Sequence, residues 1–261
     1  MNATTTAATT ATGRLTALAR AELTLLVRNR TALFVALLMP LAMVGVLRSA
    51  LTPEALEGTG IRLGDALLSG GIGMVLILVV YLNVTSALVA RREELVLKRL
   101  RTGEVSDTEI LGGTALPAAV LAIAQSAVLV VAGAVVLDTD PPQRPELLVA
   151  GLLLGTVLMT ALAAVTSSVT RTVESAQLTT TPLFLVSAFG SGLFVPLDTL
   201  PDRLLPLCEV LPMTGVVRLV EAGLHGGADA PELARAALSV LVWTLLSVFA
   251  VRRWFRWEPR R

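Results

Sequence analysis

The chain is organised by long apolar stretches that carry almost no charge, separated by short segments in which charges, glycine and proline are concentrated. A helix rises 1.5 Å per residue, so about 20 apolar residues cross the hydrocarbon core of a bilayer. Six stretches meet this requirement, which predicts an all-α membrane protein with six transmembrane helices. The predicted spans are 31–50, 66–90, 110–137, 147–169, 176–195 and 233–251.

The two ends of the chain differ from the spans between them. Residues 1–13 are a low-complexity run of threonine and alanine without the apolar region of a signal peptide, and we expect a disordered cytoplasmic tail. Residues 14–251 contain all six spans and are predicted to form one transmembrane domain. Residues 252–261 are predicted to be a basic cytoplasmic tail.

Basic residues indicate how the spans are oriented. With six spans, both termini lie on the same side, and the segments on that side hold 15 of the 21 basic residues. Because cytoplasmic segments are enriched in lysine and arginine, both termini are predicted to be cytoplasmic in a multi-pass protein of the bacterial cytoplasmic membrane. The aromatic residues after the last span are typical of the belt at a membrane interface: Trp254, Phe255 and Trp257.

Composition excludes several classes of protein. Hydrophobic residues make up 54% of the chain and charged residues 16%, against about 25% charged in a soluble domain. With one cysteine, Cys208, and one histidine, His225, the chain has no intrachain disulfide and no Cys/His zinc site. The only lysine, Lys98, is followed by Arg99, so there is no P-loop for ATP. The spans also lack the acidic residues of an ion relay or an aspartyl protease.

Residues 14–30 precede the first predicted span and interleave leucines with four arginines at roughly helical spacing. This pattern is typical of an amphipathic basic helix in the membrane interface. The alternative is that the segment only extends the first transmembrane helix.

Residues 91–107 carry the densest charge in the chain and are predicted to form a short amphipathic cytoplasmic helix. Leu97 and Leu100 share a face, and Glu94 and Lys98 are an i, i+4 pair. Such a helix fits a groove of a partner protein, or it rests on lipid headgroups as a basic anchor. The pattern alone does not separate these interpretations.

Residues 187–214 combine apolar side chains with prolines every five or six residues, which a continuous helix does not tolerate. We expect short helices that enter part of the outer leaflet and return. Irregular backbone at that depth must be buried in protein or line a water-filled cavity. The alternative is an apolar outer loop packed on the helix bundle.

Three stretches, in order, resemble one family. AELTLLVRNRTALFVALLMPL is similar to an interfacial elbow helix, RREELVLKRLRTGEVS to a cytoplasmic coupling segment, and FGSGLFVPLDTLPDRLLPLCEVLPMT to a fifth helix and a re-entrant hairpin before the sixth. On a six-span background, they resemble the membrane-spanning permease of ABC transporters of the ABC-2 exporter type. The elbow residues are Glu22, Arg28 and Asn29, and the hairpin residues are Ser191, Gly192, Pro196, Pro201 and Pro212.

The resemblance implies that a separate cytoplasmic ATP-binding subunit, which holds ATP and Mg²⁺, docks on the coupling segment. The chain itself would have no catalytic site and no cofactor. The chain would act as a dimer with a second permease copy or a related chain. The resemblance assigns these docking residues: Arg92, Glu93, Leu97, Lys98, Arg99 and Leu100.

The resemblance, together with the uncharged spans, implies an exporter for a hydrophobic drug, antibiotic or lipid-like molecule, with a role in antibiotic resistance. A non-transporting membrane anchor that recruits a cytoplasmic partner shares the same topology. An intramembrane serine enzyme would have to pair Ser191 with His225, which we expect to be a solvated loop residue. On the exporter interpretation, Leu97→Asp or Leu100→Asp leaves insertion intact and abolishes coupling to the ATPase, because a charge enters an apolar docking face.

Overall fold

A computed structural model describes residues 63–102, 105–194, 197, 201 and 203–258, with single positions at Thr24, Phe34, Leu38, Ala42 and Gly45. The regular secondary structure of this part of the chain is helical throughout. Several predictions fall outside the described residues: the tail 1–13, the elbow residues Glu22, Arg28 and Asn29, most of the first span, and Pro196.

The first half of the described chain contains five helical elements. They are α1 (Leu63–Val75), a π-helical segment (Leu76–Leu82), α2 (Asn83–Glu93), the short α3 (Val96–Arg101) and α4 (Asp107–Val136). The second half adds α5 (Pro145–Val169), α6 (Val173–Gly190), the short α7 (Leu205–Glu209), α8 (Pro212–His225) and α9 (Ala230–Trp254).

Four helices of the described part are long and apolar enough to cross a membrane: Gly64–Glu93, Asp107–Val136, Pro145–Val169 and Ala230–Trp254. They match the second, third, fourth and sixth predicted spans. The fifth predicted span corresponds to α6, which has 18 residues and is not among these four helices. Its first half is polar, with Glu174, Gln177 and a run of threonines.

Local sequence explains where the helices begin. At α4 the Glu109 amide donates to Ser106 Oγ (3.3 Å), and the Ser106 amide donates to Glu109 Oε2 (2.7 Å). At α9 the Glu232 amide donates to Asp229 Oδ1 at 2.8 Å. These capping boxes satisfy amides that have no partner within the helix. They fix each start directly after a polar segment.

The interior of the bundle is built around α5, which contacts α8, α9, the π-helical segment and α2. The π-helical segment is tied to α5 where the hydroxyls of Tyr81 and Thr166 lie 3.0 Å apart. The spans differ in burial. Of an apolar stretch of 18 residues in each, 67% is buried in Gly64–Glu93 and 61% in Pro145–Val169, but only 28% in α4 and 17% in α9. The last two helices therefore present broad apolar faces outward.

Candidate functional site

The segment predicted to couple the protein to a partner is divided into two parts. α2 runs on to Glu93, Leu95 then takes a left-handed conformation (φ 60°), and α3 follows with six residues. This conformation is uncommon for a residue other than glycine, and it separates the two helices. The predicted short helix is present as α3, but it begins at Val96, and residues 91–93 belong to α2.

Arg92 is buried and does not lie on the outer surface of this segment. Its Nη1 donates to the Ser167 carbonyl at 2.7 Å, and its Nη2 donates to the Thr170 carbonyl at 2.5 Å. Both carbonyls lie at the C-terminal end of α5, where a helix leaves acceptors without internal partners and attracts positive charge. The side chain of Arg92 thus caps α5. It is buried in the chain, so its predicted exposure to a partner is wrong.

Replacing Arg92 with alanine is expected to lower the free energy of unfolding by about 2 kcal/mol, because two buried hydrogen bonds from a charged donor are lost. Arg92→Lys should recover little of this, since a single ammonium lacks the planar fork that reaches both carbonyls. Thermal unfolding in detergent measures the effect. The matched control is Arg99→Ala, at an exposed position of the same segment. Equal midpoints for Arg92→Ala and Arg99→Ala would contradict the capping role.

Leu97 is also inside the chain, with no exposed surface, and Leu100 is half-buried. The apolar side of α3 therefore packs on the protein's own bundle, which corrects the prediction that Leu97 lies on an open docking face. What remains outside is mostly charged. We call this set the coupling surface, and its exposed members are Glu93, Glu94, Leu95, Lys98, Arg99 and Arg101.

The C-terminal tail lies against the coupling surface. Lys98 Nζ is 3.0 Å from Glu258 Oε1, and the Arg101 guanidinium lies 4.8 Å from the ring centre of Trp257. The rings of Phe255 and Trp257 meet edge to face at 4.8 Å. Phe255 and Trp257 thus pack on the chain itself. Their place in an aromatic belt at the membrane interface stays a prediction. Trp254 stays exposed.

The contacts sort the connecting segments into two groups at opposite ends of the bundle. The coupling segment, the break after α5 and the C-terminal tail meet at one end. At the other end, the Arg144 amide donates to the Gly223 carbonyl at 3.0 Å, and His225 Nδ1 is 3.7 Å from Asp65 Oδ1. This grouping agrees with the one predicted from the distribution of basic residues. The assignment of the first end to the cytoplasm stays a prediction.

The short helix α7 lies within 187–214, and α8 begins near the end of this segment. Pro212 begins α8, and Trp243 Nε1 donates to the Val210 carbonyl at 2.7 Å. Trp243 lies about 20 Å along α9 from Ala230 at 1.5 Å per residue, so this turn lies part-way down the bundle. Pro201 is exposed. Entry of the segment into a membrane stays a prediction.

A cavity of about 580 Å³ lies between the turn after α6, the start of α1, and α8 and α9. Ser191 and His225 both line it, and Ser191 Oγ and His225 Nε2 have no hydrogen-bond partner. The two side chains therefore do not form the hydrogen-bonded nucleophile and base that a serine enzyme needs. His225 ends α8 and is half-buried, so its expected place in a solvated loop is wrong.

Sequence reasoning missed residues at both ends of the bundle. Arg101, Trp257 and Glu258 belong to the coupling end, and Arg218 and Glu221 line the cavity with Asp65 and the backbone of Gly192 near by. A signal existed for the cavity, because Arg218 and Glu221 are charged residues three positions apart in an otherwise apolar helix. The tail offered none, since its contacts span more than 150 positions in the sequence.

A family model described as ABC-2 type transporter matches residues 13–224. The match includes the coupling segment, α6 and nearly all of α8, and it ends before α9 and the tail. No curated protein matches the sequence significantly. Members of this family are transmembrane components that associate with an ATP-binding subunit. With four apolar helices that can cross a bilayer and a family match over most of its length, the chain is a multi-pass membrane protein that belongs to the ABC-2 type transporter family.

Proposed function

We propose that the chain is the permease subunit of an ATP-driven exporter that moves a hydrophobic drug, antibiotic or lipid-like molecule outward across the bacterial cytoplasmic membrane. A separate cytoplasmic subunit would bind ATP and Mg²⁺ and dock on the coupling surface. One observation carries this proposal: the segment with the charged outer surface is fastened by buried contacts to the apolar spans.

Two neighbouring arginines provide that fastening. Arg92 caps α5, as described above, and Arg91 Nη1 donates to Thr114 Oγ1 of α4 at 3.0 Å. α2 itself continues into the first apolar span of the described chain. A partner that displaces the coupling surface would therefore pull on three spans together. Such a rigid connection is what an energy source outside the membrane requires.

The proposed dimer rests on the outward faces of α4 and α9. These faces carry large exposed apolar residues such as Val131, Val135, Leu245 and Phe249. Apolar surface of this extent is covered by lipid or by another apolar helix. A second permease copy, or a related chain, would cover part of it. Two ATP-binding subunits that close together would then rock the two bundles and move the substrate outward.

The hydrophobic class of substrate rests on the spans. The apolar windows of the four candidate spans hold two or fewer acidic or basic residues each, so a path along them favours an apolar molecule over an ion or a sugar. The charged cavity beside Ser191 lies at the opposite end from the coupling surface. The proposed substrate path follows the apolar spans and does not include this cavity.

The test is ATP-dependent movement of a lipophilic fluorescent dye into inside-out vesicles that contain the chain and its copurified ATP-binding subunit. We expect accumulation with the active subunit and none when the Walker lysine of that subunit is replaced. Dye movement at full rate with the inactive subunit would refute an ATP-driven permease. Stable binding of the subunit with no dye movement would favour the membrane-anchor alternative.

Docking can be tested separately with Arg99→Glu. Arg99 is exposed on the coupling surface, and reversing a charge at the rim of an interface typically costs about 1 kcal/mol, so capture of the ATP-binding subunit should fall about fivefold. Quantitative pull-down from mild detergent measures this. Arg144→Glu is the matched control, because Arg144 keeps 42% of its side-chain surface exposed and lies at the other end of the bundle. Equal losses in both variants would argue against docking at the coupling surface.

A further inference from the structure

We propose that residues 255–258 of the C-terminal tail are part of the docking surface, so that the ATP-binding subunit binds a composite of α3 and the tail. This inference rests on the proposed function and names a further element of the same site. It adds a region that lies beyond residues 13–224, the part that matches the family.

The tail is held against the bundle by its aromatic residues. α9 ends at Trp254, and Phe255 has an extended backbone (φ −64°, ψ 131°) that turns the chain away from the helix axis. Phe255 packs against the hydrophobic core, and Trp257 is half-buried and stacks edge to face on it. Arg256 and Glu258 are exposed. The tail therefore lies along the end of the bundle with its charged side chains outward.

The tail is also joined to the cations of α3. Of the three cations on this helix, Lys98 pairs with Glu258 and Arg101 lies over Trp257, whereas Arg99 makes neither contact. Lys98 and Glu258 keep 53% and 62% of their side-chain surface exposed, so the pair is accessible from outside. A protein that contacts Arg99 also comes within reach of Glu258. The exposed surface of α3 and that of the tail are thus continuous.

The tail has the geometry of a fixed part of the surface rather than of a cover that leaves when the partner arrives. A cover would hide an apolar face that is freed on opening. Here the apolar residue of α3, Leu97, is buried against the bundle, whereas the tail contacts the cations of α3. Displacing the tail would break an opposite-charge pair and lift the Phe255 ring off the hydrophobic core. Displacement would therefore cost these contacts, whereas docking on the composite surface keeps them.

A composite surface has a mechanical consequence. The tail is the direct continuation of α9, and α3 is connected through α2 and Arg92 to the inner spans. A subunit that contacts both would move the last span in step with the second and fourth predicted spans. The contacts of Lys98 with Glu258 and of Arg101 with Trp257 connect α3 to the end of α9.

The first experiment tests whether the tail must contribute. Trp257→Ala combined with Glu258→Lys removes the stack and reverses the charge beside Lys98, and we expect capture of the ATP-binding subunit to fall about tenfold. The matched control is Trp254→Ala, which removes an equally large ring that is exposed and packs on Phe249 away from α3. Capture at the wild-type level by the double variant, with its folding confirmed by gel filtration, would overturn the proposal.

The second experiment tests whether the tail must stay. Lys98→Cys and Glu258→Cys, in a Cys208→Ser background, are joined by a short bismaleimide before the ATP-binding subunit is added. A composite surface predicts the same capture with and without the cross-link, whereas loss of capture on cross-linking would show a displaced cover and overturn the proposal. Failure of the wild-type chain to bind any ATP-hydrolysing subunit would overturn the proposed function as well. Normal capture by the wild-type chain together with unchanged capture by the Trp257→Ala, Glu258→Lys variant would overturn only the role of the tail.

Discussion

Leu97→Asp is expected to destabilise the folded chain by roughly 4 kcal/mol, because it places a carboxylate where no solvent reaches. The apolar contacts of a fully buried leucine are lost as well. Insertion and folding should therefore suffer together with coupling. This changes the expectation drawn from the sequence, in which the same substitution leaves insertion intact and acts only on a partner.

Leu95→Asp provides the matched control. It makes the same substitution two positions earlier, on a leucine that is 40% exposed. Leu95 has a left-handed backbone (φ 60°), a conformation that aspartate tolerates better than leucine, so its stability should not fall. Thermal unfolding and yield in detergent compare the two variants. Equal stability of Leu97→Asp and Leu95→Asp would show that Leu97 is not packed as described.

The comparison at Leu97 shows what an amphipathic pattern can and cannot establish. The spacing of Leu97 and Leu100 correctly predicts that a short helix has an apolar side. It does not indicate whether that side is covered by the same chain or by another protein, because the sequence carries the same pattern in both cases. In the structure, Leu97 packs on the bundle and the charged side of α3 faces outward. Docking on that charged side stays a prediction.

Hydropathy predicted four spans to within a few residues, because crossing a bilayer requires a length of apolar chain that neighbouring segments do not supply. It was less reliable at α6. The absence of charge over 176–195 suggested a span, but Gln177 and the threonines that follow are polar without being charged. A criterion based on charge alone does not count the hydroxyl and amide groups that make this helix less apolar.

Long-range contacts explain most of what the sequence could not predict. The family resemblance assigned Arg92 to docking, yet its acceptors are 75 and 78 positions away. Asp65 and His225 meet at the other end of the bundle although 160 positions separate them. Local patterns indicate helices and their ends. The packing of those helices decides to which buried carbonyl an arginine donates its hydrogen bonds.

Gly155→Leu is expected to destabilise the chain by about 3 kcal/mol, through overpacking where α5 meets α8 and the π-helical segment. A Cβ atom added at Gly155 would lie 2.6 Å from Val216 Cγ1 and 2.8 Å from Leu76 Cδ1. Both distances are well inside van der Waals contact, and both neighbours are buried and packed on all sides. The helices must therefore move apart to accept the side chain, and α5 is the helix on which the rest of the bundle is assembled.

The chain offers a control that separates crowding from the general effect of replacing glycine in a helix. Gly112 is an exposed position of α4, and a Cβ atom there would meet nothing within 4 Å. Because leucine is the better helix former, Gly112→Leu should leave the unfolding midpoint unchanged or raise it slightly. The difference between the thermal unfolding midpoints of the two variants, in the same detergent, then measures the destabilisation caused by overpacking at Gly155. If Gly155→Leu unfolds at the same temperature as Gly112→Leu, the close approach of α5 and α8 is not a feature of the folded protein.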